Sequence, residues 1–197
     1  MQLGDIAQIQ TGLVLSRKKA EMPYEAKATY SLLSLKNISE DGFIENDSFE
    51  AFISHDKLDD HYFTAEGDVL MRLSQPYTAV YIDKDHTGLL IPSYFAIIKV
   101  DQEKVLPQYL AWYLNTSNVK KELERSQAGS RIPSTNQHVI RNLPFERLPT
   151  SKQKALIELN QLRQKEKLLY RKLMEEKELY YQAIVQQIMK QGERKNG

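Results

Sequence analysis

A single stretch, residues 148–189, constrains this chain more than any other feature. After Pro149, about forty residues pass without a glycine or a proline. Apolar side chains recur there at steps of three, four and seven, the spacing of one helix face. They are Leu159, Leu162, Leu169, Leu173, Tyr180 and Ile184. At 1.5 Å per residue the predicted helix is roughly 60 Å long, about twice the diameter of a small domain. A single globular domain cannot pack along the whole length of so long a helix.

The ends of this helix and its partner can also be predicted. We expect Ser151 to cap the N-terminus and Gly192 to lie just past the last apolar position. The apolar stripe either packs on the chain's own domain or pairs, parallel or antiparallel, with a helix of another subunit, and its length favours pairing. A strict heptad would place Glu166 and Glu176 at the seam, where charges lower stability and tend to fix register or partner.

The composition suits one globular domain of about 150 residues plus the rod, with 41% hydrophobic and 27% charged residues. The change in pattern near residue 150 divides the chain into a domain over 1–150, a helix over 151–190 and a polar tail over 191–197. The fold class we expect is α+β (mixed α/β), followed by one long coiled-coil-type α-helix.

Charge and composition exclude several classes of protein. There is no cysteine, and therefore neither a disulfide framework nor a thiolate metal site. No charged-then-apolar N-terminal segment and no run of eighteen apolar residues occur, so we expect a cytoplasmic protein without membrane contact. Residues 151–197 carry 11 Lys and Arg against 6 Asp and Glu, a net +5, whereas residues 1–150 carry 16 against 20, a net −4. DNA contact in the first part therefore needs a locally basic face.

Short apolar runs and capped segments predict the elements of the domain. The predicted strands are 30–38, a short 43–44, 69–73, 79–82 and 94–100. The predicted helices are 55–62 capped by Ser54, one beginning at Pro107, one from Ser117 to Leu123, and a short one in which Ser134 and Gln137 form a capping-box pattern. The opening residues 3–12 indicate a short turn with an apolar face, which Gly12 ends.

No residue pattern indicates catalysis. The four histidines, at 55, 61, 86 and 138, lack the spacing of a metal pair, and all eight glycines are isolated. No serine occupies a nucleophile elbow. We therefore expect a non-catalytic chain with no metal site and no cofactor.

Five segments, in this order, resemble parts of one known family. They are residues 3–7 with Gly12, 36–38 before Gly42, 67–71, 129–140 followed by Leu143 and Pro144, and Pro149 with Gln153, Leu156 and Ile157. Together they are similar to the target recognition domain and central helix of the specificity subunits of type I restriction-modification systems. The resemblance covers residues 3–190, and its specificity comes from the order of the motifs.

The resemblance implies partners rather than an activity. A subunit of this family binds double-stranded DNA through its recognition domain and holds adenine methyltransferase subunits through its helical region; with a motor and nuclease subunit the complex cleaves unmodified DNA. S-adenosylmethionine, Mg and ATP are expected only on those partner subunits.

The chain departs from the family in one respect. Members usually carry two recognition domains and two long helices, whereas this chain has one of each. We therefore expect a homodimer joined through the C-terminal helix, in which each copy binds one half of a bipartite target. Three alternatives stay open: a specificity subunit of a related methyltransferase-nuclease system, a silent cassette, and a helical interaction protein that does not read DNA.

Side chains suited to base edges or phosphates are concentrated in two loops. The expected DNA contacts are Arg72, Ser74, Gln75 and Tyr77 in the first, Ser130, Arg131, Ser134, Thr135, Asn136 and Gln137 in the second, and Arg17 and Lys18 near the N-terminus. Structural roles compete with this interpretation. Arg17 and Lys18 suit a solvated loop, Ser134 and Gln137 a helix cap, and Asn136 a turn, whereas Arg72 has an acid nearby in Asp68.

Overall fold

The computed structural model describes residues 1–45, 48–127 and 134–193. The chain divides into two compact units, Met1–Ile157 and Glu158–Gly197. The strands are β1 Ala7–Thr11, β2 Ala28–Leu32, β3 Glu50–Ser54, β4 Val69–Arg72, β5 Ala79–Tyr81 and β6 Phe95–Val100. The helices are α1 Pro107–Leu114, α2 Ser117–Ser126, α3 Gln137–Arg141 and α4 Thr150–Glu193, which begins in the first unit and continues through the second.

A four-stranded antiparallel sheet in the order β1-β6-β4-β5 forms the centre of the first unit, and β2 and β3 pair in a separate sheet. Successive residues of a strand face opposite sides. On β4, Val69 and Met71 face the cluster that the helices complete, whereas Leu70 faces a second cluster with Leu33 and Ile91. The sheet is thus buried on both faces, which explains its run of apolar residues.

The central strands and the first two helices confirm the expectations from sequence. Residues 69–72, 79–81 and 95–100 are strands, and helices begin at Pro107 and Ser117. The long helix is also confirmed, but its ends differ from those predicted. It begins at Thr150, so Ser151 lies inside the first turn, and Gly192 is still helical.

The predictions for residues 28–62 were partly wrong. The strand expected over 30–38 ends at Leu32, and a 3-10 turn follows at Leu35–Asn37. Residues 43–44 form only a bridge, between Ile38 and Ile44, and β3 was not predicted. The helix expected over 55–62 is reduced to a 3-10 turn at Asp60–Tyr62.

Long-range contacts account for these differences. Ser54, the expected helix cap, is buried, and its Oγ donates to the Lys18 carbonyl oxygen at 3.0 Å. The opening segment, interpreted as a turn, contains β1, because residues 7–11 pair with residues 96–100 of β6. The local sequence pattern of a segment does not indicate which distant segment will pair with it.

The second unit presents its apolar residues to solvent. The six residues of the predicted stripe are exposed on the single chain, from 38% for Ile184 to 70% for Tyr180. Other exposed large apolar residues on α4 are Leu168, Tyr170, Met174, Leu179, Tyr181, Ile188 and Met189. So large an apolar surface is typical of an interaction site. Within the described ranges no helix is long and apolar enough to cross a bilayer.

Candidate nucleic-acid interface

The two polar loops singled out in the sequence meet in the structure. Ser74, in the loop between β4 and β5, forms an antiparallel bridge with Ser134. Next to it, the backbone N–H of Thr135 donates to the Leu73 carbonyl oxygen at 2.7 Å. The segment before α3 therefore continues the edge of the β4–β5 loop, and the two loops form one surface, which we call the loop pair (residues 73–78 and 134–137).

The loop pair lies at one end of the central sheet. β4 ends at Arg72, which pairs with Phe95 at the start of β6, and Thr11 at the end of β1 pairs with Ala96. The Gln137 Nε2 donates to the Thr11 Oγ1 at 3.3 Å, which joins α3 to the same end of the sheet. Residues from four separate parts of the chain therefore contribute to one surface.

The base of α4 lies at the opposite end of β6. Gln153, in the second turn of α4, is fully buried, and its Oε1 accepts from the Leu106 N–H at 2.8 Å. Its Nε2 donates to the carbonyl oxygens of Lys104 and Leu148, at 3.1 and 2.8 Å. Since β6 ends at Val100, its length of about 20 Å separates the loop pair from the residues that anchor α4.

Arg72 is half-buried at the rim of the loop pair. Its backbone N–H donates to the Thr78 carbonyl oxygen at 2.9 Å, and its Nε is buried with no hydrogen-bond partner in the part of the chain that the structure describes. Asp68, the acid considered as its partner, is instead bound to the Lys99 Nζ at 2.6 Å and accepts from the Ala65 N–H at 3.0 Å. Among the described residues no carboxylate is paired with the Arg72 guanidinium.

Two of the predicted contacts lie in the protein interior. Tyr77 is 1% exposed and Thr135 4% exposed, and their hydroxyl oxygens are buried without a hydrogen-bond partner within the described ranges. Burial raises the pKa of Tyr77, and the negative charge of Glu124 adds to this effect. In this conformation neither side chain presents a surface to DNA, so the structure corrects the expectation that they contact it directly.

The basic residues near the N-terminus differ from each other. The Lys18 Nζ lies 2.8 Å from the Asp56 Oδ2, and this hydrogen bond, with the charge attraction, raises the pKa of Lys18 and lowers that of Asp56. Arg17 is exposed, and only its backbone is engaged: its N–H donates to the Val14 carbonyl oxygen at 3.1 Å, and its carbonyl oxygen lies 3.2 Å from the His55 Nε2. Of the two, Arg17 has a cationic side chain without a partner among the described residues.

The remaining candidates divide into engaged and free side chains. The Asn136 Oδ1 accepts from the Val139 N–H at 3.1 Å, so Asn136, rather than Ser134, caps α3. Gln75 and Ser134 are exposed, and Ser74 is half-buried. The predicted contacts Ser130 and Arg131 lie outside the described residues.

Sequence reasoning missed Thr78. This residue is fully buried, its Oγ1 has no partner among the described residues, and it lies opposite Arg72, directly before β5. A hairpin register drawn between 69–73 and 79–82 could have found it, since that register places residue 78 across from residue 72.

The fold described above is a mixed α/β domain followed by a long helix, and solved structures share it. A crystal structure of the HsdS subunit from Thermoanaerobacter tengcongensis matches with a TM-score of 0.64 at 15% identity. A structure on complex assembly and conformational transition of the type I R-M system gives 0.62 at 15% identity, and the type I restriction-modification S subunit from M. genitalium gives 0.51 at 12%.

These likenesses confirm the expected fold. Each match covers 87% of this chain, and the chain spans 43%, 43% and 40% of the three matched chains, in the order given. No protein-family model and no curated protein sequence matches the chain. The chain thus has the fold of type I restriction-modification specificity subunits, while its identity to them is low.

Proposed function

We propose that this chain is the DNA sequence-specificity subunit of a type I restriction-modification system. It binds one half of a bipartite DNA target and recruits adenine methyltransferase subunits. The complex that they form then recruits the motor and nuclease subunit. The observation that supports this most is the loop pair. Two polar loops with base-reading and phosphate-binding side chains, far apart in sequence, are joined by the Ser74–Ser134 bridge at one end of the sheet.

The proposal assigns DNA binding to the free side chains of this surface. Gln75 at the loop tip, Ser134 on the adjoining segment and the Nε of the half-buried Arg72 have no side-chain hydrogen-bond partner among the described residues. Amide and guanidinium groups of this kind are the usual means of reading base edges and holding phosphates. Arg17 and the flanking Arg131 extend the same role.

The proposal assigns assembly to α4. Its stripe of exposed apolar residues supports pairing with a second copy of the chain and contact with methyltransferase subunits. Glu166 and Glu176 at the seam then select the register and the partner.

The chemistry of such a system belongs to other chains. We propose a cytoplasmic, non-catalytic subunit, with S-adenosylmethionine, Mg and ATP bound by the partner subunits. Its contribution is to position the methyltransferase over an adenine in the target, which is a matter of binding energy and geometry.

A tagged pull-down from the native cell, followed by sequencing of methylated adenines, tests the proposal. We expect an adenine methyltransferase subunit in stoichiometric amount, and a bipartite methylated motif that disappears when this gene is deleted. Recovery of the chain alone, with an unchanged methylation pattern after deletion, would refute the proposal and support a helical interaction protein.

A further inference from the structure

A short apolar tip (residues 22–24) lies at the surface of the first unit, beside β3. It consists of Met22, Pro23 and Tyr24, which follow one another and are all exposed. Met22 is 52% exposed, and Tyr24, at 85%, is the most exposed large apolar residue in the described part of the chain. A run of three exposed apolar residues is unfavourable in water unless it serves a function. The apolar tip is therefore a candidate for a binding surface.

Hydrogen bonds hold the apolar tip in one shape. It belongs to the 3-10 turn Pro23–Glu25, in which the Glu25 N–H donates to the Met22 carbonyl oxygen at 3.0 Å. The Glu25 Oε2 in turn accepts from the backbone N–H groups of Glu21 and Met22, at 3.0 and 3.3 Å. Because the turn is already ordered, docking it against a partner costs little conformational entropy.

Both ends of the segment that carries the apolar tip are fastened to the end of β3. The Ala20 N–H donates to the Ile53 carbonyl oxygen at 3.0 Å, and the Lys27 N–H donates to the Ser54 carbonyl oxygen at 2.8 Å. Because Ile53 and Ser54 are neighbours, the residues between these two points form a loop whose ends lie close together. The middle of that loop, which is the apolar tip, therefore stands away from the sheet and is shaped for insertion.

The charge around the apolar tip favours a polyanionic partner. Residues 14–27 carry four Lys and Arg against two Glu, a net +2, whereas residues 1–150 as a whole carry a net −4. The nearby acid Asp56 is paired with Lys18, and the Glu25 carboxylate is bound to backbone N–H groups. Three exposed cationic side chains in this segment have no partner among the described residues: Arg17, Lys19 and Lys27.

The segment follows directly from the end of the sheet at which the loop pair lies. β1 ends at Thr11, whose Oγ1 accepts from the Gln137 Nε2 of the loop pair. Arg17 comes six residues later, and six residues span at most about 22 Å. This distance is shorter than one helical turn of a DNA duplex, which is about 34 Å. A single duplex can therefore contact the loop pair and the basic flank of the apolar tip together.

DNA offers a partner for both features of this surface. Its phosphates bind Lys and Arg, whereas its bases have apolar faces on which aromatic rings stack. Proteins that kink DNA insert apolar side chains, Met and Pro among them, between two base pairs from the minor groove. The combination of a rigid apolar tip with flanking cations therefore matches the minor groove of a duplex.

We propose that the apolar tip is a wedge that enters the minor groove of the bound DNA and kinks it, with Met22 and Tyr24 inserted at one base step. The flanking cations hold the phosphates on either side. The inference rests on the proposed function and adds a deformation of the duplex to the contacts of the loop pair. Since pyrimidine–purine steps kink most easily, the wedge contributes to sequence preference without reading a base edge.

The test uses the full chain assembled with the methyltransferase subunits of its native system. The wild-type complex first selects a duplex from a randomised pool. Energy transfer between dyes at the two ends of this duplex then measures its bend. 2-Aminopurine, whose fluorescence rises when it is unstacked, is placed at successive positions outside the methylated adenine. Dissociation constants are measured between about 50 and 200 mM salt.

We expect the wild-type complex to kink the selected duplex by at least about 20° and to unstack one step. Met22→Ala and Tyr24→Ala should each reduce the bend and the fluorescence at that step, and should weaken binding roughly tenfold. Tyr24→Phe keeps the ring and should behave as wild type. Lys27→Ala should keep the bend, while the slope of log affinity against log salt falls by about one, because a phosphate contact is lost.

Two variants serve as matched controls. Ile53→Thr removes an exposed apolar side chain at the foot of the apolar tip and should leave bend and affinity unchanged. Lys84→Ala removes an exposed lysine from the turn after β5, at the other end of the sheet from the loop pair, and should leave the salt slope unchanged.

A bend and an unstacked step that persist in both Met22→Ala and Tyr24→Ala would overturn the inference. So would a Tyr24→Ala chain that no longer retains the methyltransferase subunits yet still bends DNA, because the apolar tip would then be a protein contact. A wild-type complex that enriches no duplex would refute the proposed function itself.

Discussion

The side chain of Gln153 offers the sharpest test of how α4 is anchored to the first unit. It is 0% exposed and makes three hydrogen bonds, one from the Leu106 N–H and two to the carbonyl oxygens of Lys104 and Leu148. Gln153→Met keeps a similar length and volume but removes all three. The backbone groups it leaves behind belong to a part-buried joint between α4 and the start of α1.

The expected loss follows from those three bonds. A typical hydrogen bond contributes about 0.5–1.5 kcal/mol net, and a buried group left unpaired costs about 1–3 kcal/mol. Because all three bonds are only partly buried, water can replace some of what is lost, and we expect a total near the lower sum, about 2–4 kcal/mol. At about 2 kcal/mol per molar urea, the unfolding midpoint should fall by roughly 1–2 M with no change in slope.

Urea unfolding followed by tryptophan fluorescence measures this directly, since Trp112 is the single tryptophan and stacks on Tyr109 within the first unit. Gln161→Met on the exposed part of the same helix is the control, and it should change stability by less than about 0.5 kcal/mol. If Gln153→Met also costs less than about 0.5 kcal/mol, the reasoning that these bonds anchor α4 is wrong.

Three further predictions concern the core, the turns and the helix. Gly12→Ala should lower the free energy of unfolding in urea by about 3 kcal/mol, because the added Cβ would stand 2.2 Å from a backbone oxygen. Gly88→Ala, at φ 79° with open space around it, should lower it by about 1 kcal/mol. Equal losses of stability in the two variants would contradict this reasoning. Asp68→Asn should lower stability by about 1–3 kcal/mol in thermal unfolding, since it weakens a 2.6 Å ion pair of a buried carboxylate. Leu169→Lys should abolish the proposed dimer in sedimentation velocity, while Leu168→Lys, about 100° around the helix, should retain it; a dimeric Leu169→Lys chain would exclude this stripe as the seam.

Much of the fold followed from local patterns. The long helix was predictable because about forty residues lack Gly and Pro and repeat their apolar positions at helical spacing. β4 and β6 were predictable because they are buried on both faces, so their apolar runs are strong signals. The helix at Pro107 followed from the preference of proline for a first turn.

The elements that failed depend on distant partners. β1 is a strand because β6 pairs with it, and β3 because it pairs with β2. The buried hydroxyl of Ser54 donates a hydrogen bond to the Lys18 carbonyl oxygen and does not cap a helix. Propensity is weak at such positions, and tertiary pairing decides the outcome.

The candidate site also combines features that the sequence predicts with features that only the tertiary structure decides. Sequence alone located both polar loops, because residues suited to DNA are identified by type. It could not separate exposed Gln75 from buried Tyr77, which lie two positions apart on one loop. Nor could it exclude a pair between Arg72 and Asp68, since that depended on which cation reached the carboxylate.

The sequence by itself therefore determined the long helix, the buried strands and the presence of two polar loops, because period, composition and residue type are local properties. Tertiary structure alone decided that the loops join through Ser74 and Ser134, that Asp68 binds Lys99, and that Gln153 anchors α4. Each of these depends on which distant groups the packed chain brings within hydrogen-bonding distance, and no local pattern specifies that.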